Sequence, residues 1–134
     1  MTSKVTYQGN LRTHCEHLKS GNTFITDAPT DNNGKGEAFS PTDTVATALA
    51  SCMITIMGIK AEQHGLDIEN TYAEVTKTMS AKPRRISGIK VEVYGLQNVD
   101  GKNREILENA ALTCPVFHSL HPDIDKDISF YWNL

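Results

Sequence analysis

The residues able to do chemistry in this chain are few: three cysteines, five histidines and a small set of arginines. Cys52 and Cys114, 62 positions apart, are the leading pair. Cys52 lies in the middle of an apolar stretch of helical period, and Cys114 directly precedes Pro115. If Pro115 opens a short helical turn through His118, Cys114 is its N-cap. A thiol there faces unpaired N–H groups and the positive end of a dipole, which lowers its pKa. Cys52 has no such help, because Pro41 is eleven residues back and the dipole effect dies within the first turn. A buried thiol with no cation beside it is inert. A reactive Cys52 therefore requires an arginine or lysine from elsewhere, and Arg12, Arg84 and Arg85 are the candidates. The competing readings are bland: Cys52 as a small core hydrophobe, each arginine as a solvated charge, Cys15 as a structural strand thiol.

A metal site is the second reading. Cys114, His118 and His121 are spaced by four and three, which a helical turn puts on one face, and Cys52 would complete a Cys2His2 zinc set. The familiar Cys-x-x-Cys half of such sites is absent from the sequence. A third reading is a binding module that offers an apolar cleft without turnover.

The element that positions Cys52 runs from Ser40 to Gly65. Ser40 suits an N-cap and Pro41 the first helical position. Asp43 can answer Ser40 in a shortened capping box, and Gly65 is a natural stop. Such a helix is about 36 Å long at 1.5 Å per residue, enough to cross a domain whose radius of gyration is about 14 Å. From Val45 to Ile59 it carries no charge. A helix apolar nearly all round is buried all round, which calls for cover from a second subunit. Asp43, Thr44 and Thr47 leave too short an apolar core for a membrane span.

Around this helix the pattern reads as a meander of three short strands (Lys4–Tyr7, Leu11–Leu18, Thr23–Thr26), then a loop from Asp27 to Gly36. After it come a strand over Asp67–Lys82, a turn at Pro83-Arg84-Arg85 and a strand over Ile86–Leu96, the two pairing as a hairpin. A second helix spans Gly101–Thr113, capped by Asp100, and ends before Pro115. Ile128–Trp132 is the last strand. The fold class is α+β, as one domain over residues 1–134. A net charge of -3 and a pI near 5.9 argue against a nucleic-acid surface. No apolar run follows a basic N-terminus, so a cytoplasmic, thiol-reducing setting is expected. Three cysteines exclude a full disulfide framework.

The segment SPTDTVATALASCM resembles the central-helix motif of the OsmC/Ohr family, and ALTCPV resembles its second motif, a Cys-Pro at the end of the second long helix. PRRI before a strand is similar to the OsmC-like branch. The order of meander, cysteine helix, hairpin, second helix, Cys-Pro and final strand extends the resemblance over essentially the whole chain.

The resemblance implies an intertwined α/β homodimer that reduces organic hydroperoxides through thiols. Cys52 is then the peroxidatic residue and becomes a sulfenic acid. Cys114 resolves it to a Cys52–Cys114 disulfide, and a dithiol, in the family often a lipoyl group, reduces the disulfide. No metal or flavin is needed, and neither nucleic acid nor membrane is a partner. Arg12 is the only arginine in the N-terminal strands, where the family draws the cation that serves the thiolate. The pattern departs at Thr42, where peroxidase members carry a glutamate that positions the arginine; Asp43 is one residue on. Local rules make Cys114 the more acidic thiol, whereas the family pattern makes Cys52 the attacking one.

Overall fold

The computed structural model describes residues 1–95 and 97–132. Leu96, where the hairpin's second strand was expected to end, lies outside them. The chain forms two compact units, Met1–Val45 and Ala46–Leu134.

In the first unit β1 (Ser3–Gly9), β2 (Arg12–His17) and β3 (Thr23–Asp27) make an antiparallel sheet in that order. The predicted second strand began at Leu11. Instead Asn10 and Leu11 both take positive φ, 56° and 61°, which makes them the turn between β1 and β2. The register of β2 and β3 sets Arg12 opposite Asp27 and Thr13 opposite Thr26. The loop that follows contains one 3-10 turn, Thr30–Asn32. At Ser40 the capping box closes in both directions: Asp43 N–H donates to Ser40 Oγ at 3.0 Å, and Ser40 N–H donates to Asp43 Oδ2 at 3.0 Å.

Helix α1 runs from Pro41 to Gln63. In the second unit it is followed by β4 (Tyr72–Ala81), β5 (Arg84–Gly95), α2 (Gly101–Ala111), α3 (Pro115–Ser119) and β6 (Asp125–Trp132). β4 and β5 form the expected hairpin, and β6 adds to the other side of β5 in parallel. β4 starts five residues later than predicted. Asp67 Oδ1 accepts from Glu69 N–H at 2.8 Å, Asn70 has φ 70°, and Thr71 N–H returns to the Ile68 carbonyl at 3.0 Å. These local bonds turn residues 67–71 before the strand can begin. α2 ends two residues early, with Thr113 N–H on Ala110 O and Cys114 N–H on Ala111 O. That tightened last turn is what a following Pro115 permits.

The core of this unit lies between α1, α2 and the inner face of the sheet. Leu49, Met53 and Met57 recur at helical spacing and are fully enclosed, as are Val91 of β5 and Leu107 and Ala111 of α2. On the outer face Tyr72, Tyr94 and Tyr131 sit side by side across the three strands, ring centroids 5.0 and 5.2 Å apart. Gly95 carries no side chain because the Trp132 ring of β6 occupies the space a Cβ would take.

α1 is enclosed on one face only. Ser51, Thr55 and Ile59 are exposed on the other, Ile59 by 51%. By length and composition alone this helix is apolar enough to cross a membrane, with a mean hydropathy of 1.5. The threonines thus do not shorten it below a span, and the case against one rests on packing, since its largest apolar side chains already fill a core. Leu49→Ala should therefore cost about 2–5 kcal/mol. Denaturant melts of parent and variant would measure this, and a loss under 1 kcal/mol would mean that Leu49 is not packed as described.

Candidate active site

All three cysteines are free thiols. Cys52 lies one turn beyond Ala48 on α1 and is half-buried against the core. Its helical position follows from the unbroken, uncharged run around it, and its neighbours Leu49, Met53 and Ile56 turn that part of α1 inward.

Cys114 is positioned by Pro115. The residue before a proline is pushed out of helical geometry, and Cys114 has φ -65° and ψ 144°. It becomes the N-cap of α3, as predicted, and its sulfur accepts the Phe117 N–H at 3.3 Å. The thiol is fully enclosed, and Cys52 packs against the same core, near enough to influence it. Helix α1 and the α2–α3 junction thus bring together the two sulfurs that the sequence singled out.

The local expectation of an acidic Cys114 does not hold. Burial pushes this thiol up, and the neighbouring Cys52 sulfur adds to the rise; the Phe117 and Val116 N–H groups pull the other way without overcoming it. Desolvation of the thiolate outweighs the partial charge of one helical turn. The sequence disclosed the cap but not the enclosure.

The zinc set does not form. α3 stops at Ser119, and Leu120 is extended with ψ 150°, which takes His121 off the helical face. His121 Nδ1 accepts from Asp123 N–H at 3.0 Å instead, and His118 is exposed. Among the described residues no group of three or more His, Cys, Asp or Glu side chains is placed to hold a metal ion.

The arginines divide between the two units. Arg84 and Arg85 stand at the start of β5 in the second, where Arg85 Nη2 lies 3.9 Å from Asp123 Oδ2 and both side chains are exposed. Arg12 belongs to the first unit and is held by two carboxylates. Its Nε and Nη2 donate to Asp27 Oδ1 and Oδ2 at 2.7 and 2.8 Å, a two-pronged pairing, and Nη2 also reaches Glu37 Oε1 at 3.3 Å. Asp27 is 1% exposed and takes a third bond from Glu37 N–H at 3.2 Å. The guanidinium holds its carboxyl below the usual carboxylate range, and Asp27 raises Arg12 in return.

The profile of the OsmC-like protein family matches residues 34–129. The chain belongs to this family. A Psychrobacter arcticus 273-4 chain named for an osmotic stress and detoxification response is 57% identical, with TM-score 0.95, covering 98% of this chain and 96% of the other. An organic hydroperoxide resistance protein of Legionella pneumophila is 18% identical, with TM-score 0.76 over 98% of this chain and 97% of its own. Another from Bacillus subtilis is 20% identical, with TM-score 0.65 over 97% and 98%. At such identities the last two share the fold. No curated protein matches the sequence.

In this OsmC-like protein Thr42 places its hydroxyl 3.2 Å from Ser40 Oγ, and the carboxylates on Arg12 come from Asp27 and Glu37. Sequence reasoning missed both. The signal was there for Asp27: folding the second and third strands about Ser20-Gly21-Asn22 and extending the register by one pair sets it opposite Arg12.

Because Asp27 is held below its ordinary value of about 3.9, its pairing stabilises the fold above that pH and is lost as pH falls through the lowered value. Asp27→Asn should melt below the parent at pH 7, with the gap closing as pH falls below about 4. Thermal melts across that range test the sign; a gap that stays constant would assign Asp27 a role of shape rather than charge.

Proposed function

We propose that this protein is a thiol-dependent peroxidase that reduces organic hydroperoxides to alcohols in the cytoplasm. The observation that carries the reading is that two free thiols, Cys52 half-buried and Cys114 enclosed, share one core, with Cys52 near enough to raise Cys114. The Cys52 thiolate attacks the O–O bond; an alcohol leaves, and Cys52 becomes a sulfenic acid. Cys114 then attacks that sulfur, water leaves, and a disulfide joins the two. An external dithiol, a lipoyl group being the family's choice, returns both to thiols by exchange. Cys52 is the attacking residue because it is the less enclosed of the two and because burial keeps Cys114 protonated. Arg12 is the cation this reading assigns to the reaction, held by Asp27 and Glu37. The names of the Legionella and Bacillus relatives support the choice of hydroperoxide.

Cys52→Ser should abolish turnover of cumene hydroperoxide with a dithiol, since serine forms no nucleophilic anion at neutral pH. Cys114→Ser should consume about one equivalent and then stall or over-oxidise. Cys15→Ser should match the parent, and Arg12→Met should lose most activity. Mass spectrometry after one equivalent of oxidant should find a Cys52–Cys114 disulfide in the parent. Absence of any turnover in the parent would leave a binding module as the reading; swapped phenotypes of the two serine variants would make Cys114 the attacker.

The protein acts as a homodimer in this proposal. Ile59 is exposed on α1, and with Ile56, Ile106 and Ala110 it lines a groove of about 510 Å³ between α1 and α2. This exposed apolar groove supports the intertwined arrangement, in which a second copy would cover it, and interfaces of that kind exceed about 2,000 Å². Light scattering at low micromolar concentration should give about twice 14.8 kDa; a monomer would refute the dimer.

A further inference from the structure

The proposed chemistry uses Cys52, Cys114 and Arg12, and it leaves an unusual lysine unexplained. Lys126 lies on the inner side of β6, opposite Ile89, a position otherwise occupied by Ile128, Phe130 and Trp132. Among the described residues its ammonium reaches no carboxylate. Nζ donates to the His121 carbonyl at 3.3 Å and the Ile124 carbonyl at 3.2 Å, and lies 5.4 Å from the centroid of the Phe117 ring. A partly buried lysine with its donors spent on two carbonyls and an aromatic face fixes whatever carries them. Here the carbonyls belong to the connection between α3 and β6, and the ring belongs to α3 itself.

Phe117 is also the residue whose amide holds the Cys114 sulfur. The chain of contacts therefore runs from Lys126 to the Phe117 ring and from the Phe117 N–H to Cys114 Sγ, and Cys114 shares its core with Cys52. α3 has only five residues, too few to hold its own conformation. Its placement depends on tertiary clamps, and Lys126 is a polar one.

We propose that Lys126 is a positioning residue for Cys114. By fixing α3 it keeps the Phe117 amide on the Cys114 sulfur and that sulfur beside Cys52, so that the disulfide closes quickly. The inference rests on the peroxidase reading for its biological purpose, but the closure itself is independent of the oxidant. With hydroperoxide, the Cys114 sulfur attacks the Cys52 sulfenic sulfur; the S–S bond forms, the S–O bond breaks, and hydroxide leaves as water with the Cys114 proton. With diamide, the two thiol hydrogens pass to its N=N bond and the same disulfide forms.

The test follows both oxidants in the full-length protein, with disulfide, sulfenic and sulfinic forms counted by mass spectrometry after rapid quenching. Lys126→Met keeps the aliphatic stem and removes the charge and donors. It should consume the first equivalent of cumene hydroperoxide within about twofold of the parent rate. Closure should slow at least tenfold with either oxidant, and in excess peroxide the Cys52 sulfinic form should accumulate. Lys126→Arg keeps a cation over the ring and should restore closure to within about threefold. Phe117→Leu, which keeps the amide and removes the ring, should slow closure as Lys126→Met does, and it serves as the second probe if the lysine variant fails to fold. Closure at the parent rate in Lys126→Met, or equal slowing of both the first step and closure, would overturn the proposal. A parent that closes with diamide but not with cumene hydroperoxide would instead overturn the peroxidase reading, while the diamide rates still decide the role of Lys126.

Discussion

The arrangement of the second unit depends on Pro115. A proline cannot continue α2, and it drives the residue before it into extended geometry. Cys114 is that residue, with ψ 144°. One consequence is local: the chain turns, a new helix begins, and the sulfur takes the capping position. The other is spatial, because the turn carries the thiol into the core, where it meets Cys52 of α1. A residue without the proline's restriction would let α2 run on and would remove both consequences together.

Two electrostatic effects then compete at one sulfur. Amide N–H groups at the start of α3 favour the thiolate, and enclosure disfavours it. Enclosure wins, which favours the thiol form of Cys114. In the proposed cycle this bias would protect Cys114 from direct oxidation, since the thiolate is the reactive form. The same competition has the opposite outcome at Asp27, where two guanidinium bonds and an amide outweigh the cost of burying a carboxylate. The amides of one short helical turn are too weak to carry a buried anion, and a two-pronged arginine is not.

Much of this was legible in the residues. The Ser40 cap, the uncharged helix around Cys52, the β4–β5 hairpin and the Cys114-Pro115 break are local patterns whose causes lie within a few positions, and the structure has all four. What escaped were quantities that depend on neighbours distant in sequence. The Cys114 thiol is raised by walls supplied by α1 and the sheet. Asp27 read as loop because its strand was judged to end one residue earlier. Lys126 is an unremarkable residue in the sequence, and its place beneath Phe117 exists only because β6 lies parallel to β5. The start of β4 was missed for a different reason: Asp67 and Asn70 form local turns that apolar alternation does not reveal.

The parallel pairing of β6 has a consequence for the order of assembly. An antiparallel neighbour can be laid down by a tight turn, but a parallel one needs a crossover, here made by α2 and α3. During synthesis from the N-terminus, α1 and the β4–β5 hairpin emerge well before Asp125–Trp132. Both cysteines therefore leave the ribosome before the strand that carries Lys126, and a chain cut short of Asp125 retains the two sulfurs without the clamp on α3. Such a fragment holds both thiols, and on the proposed role of Lys126 it would lack the clamp that β6 brings to α3.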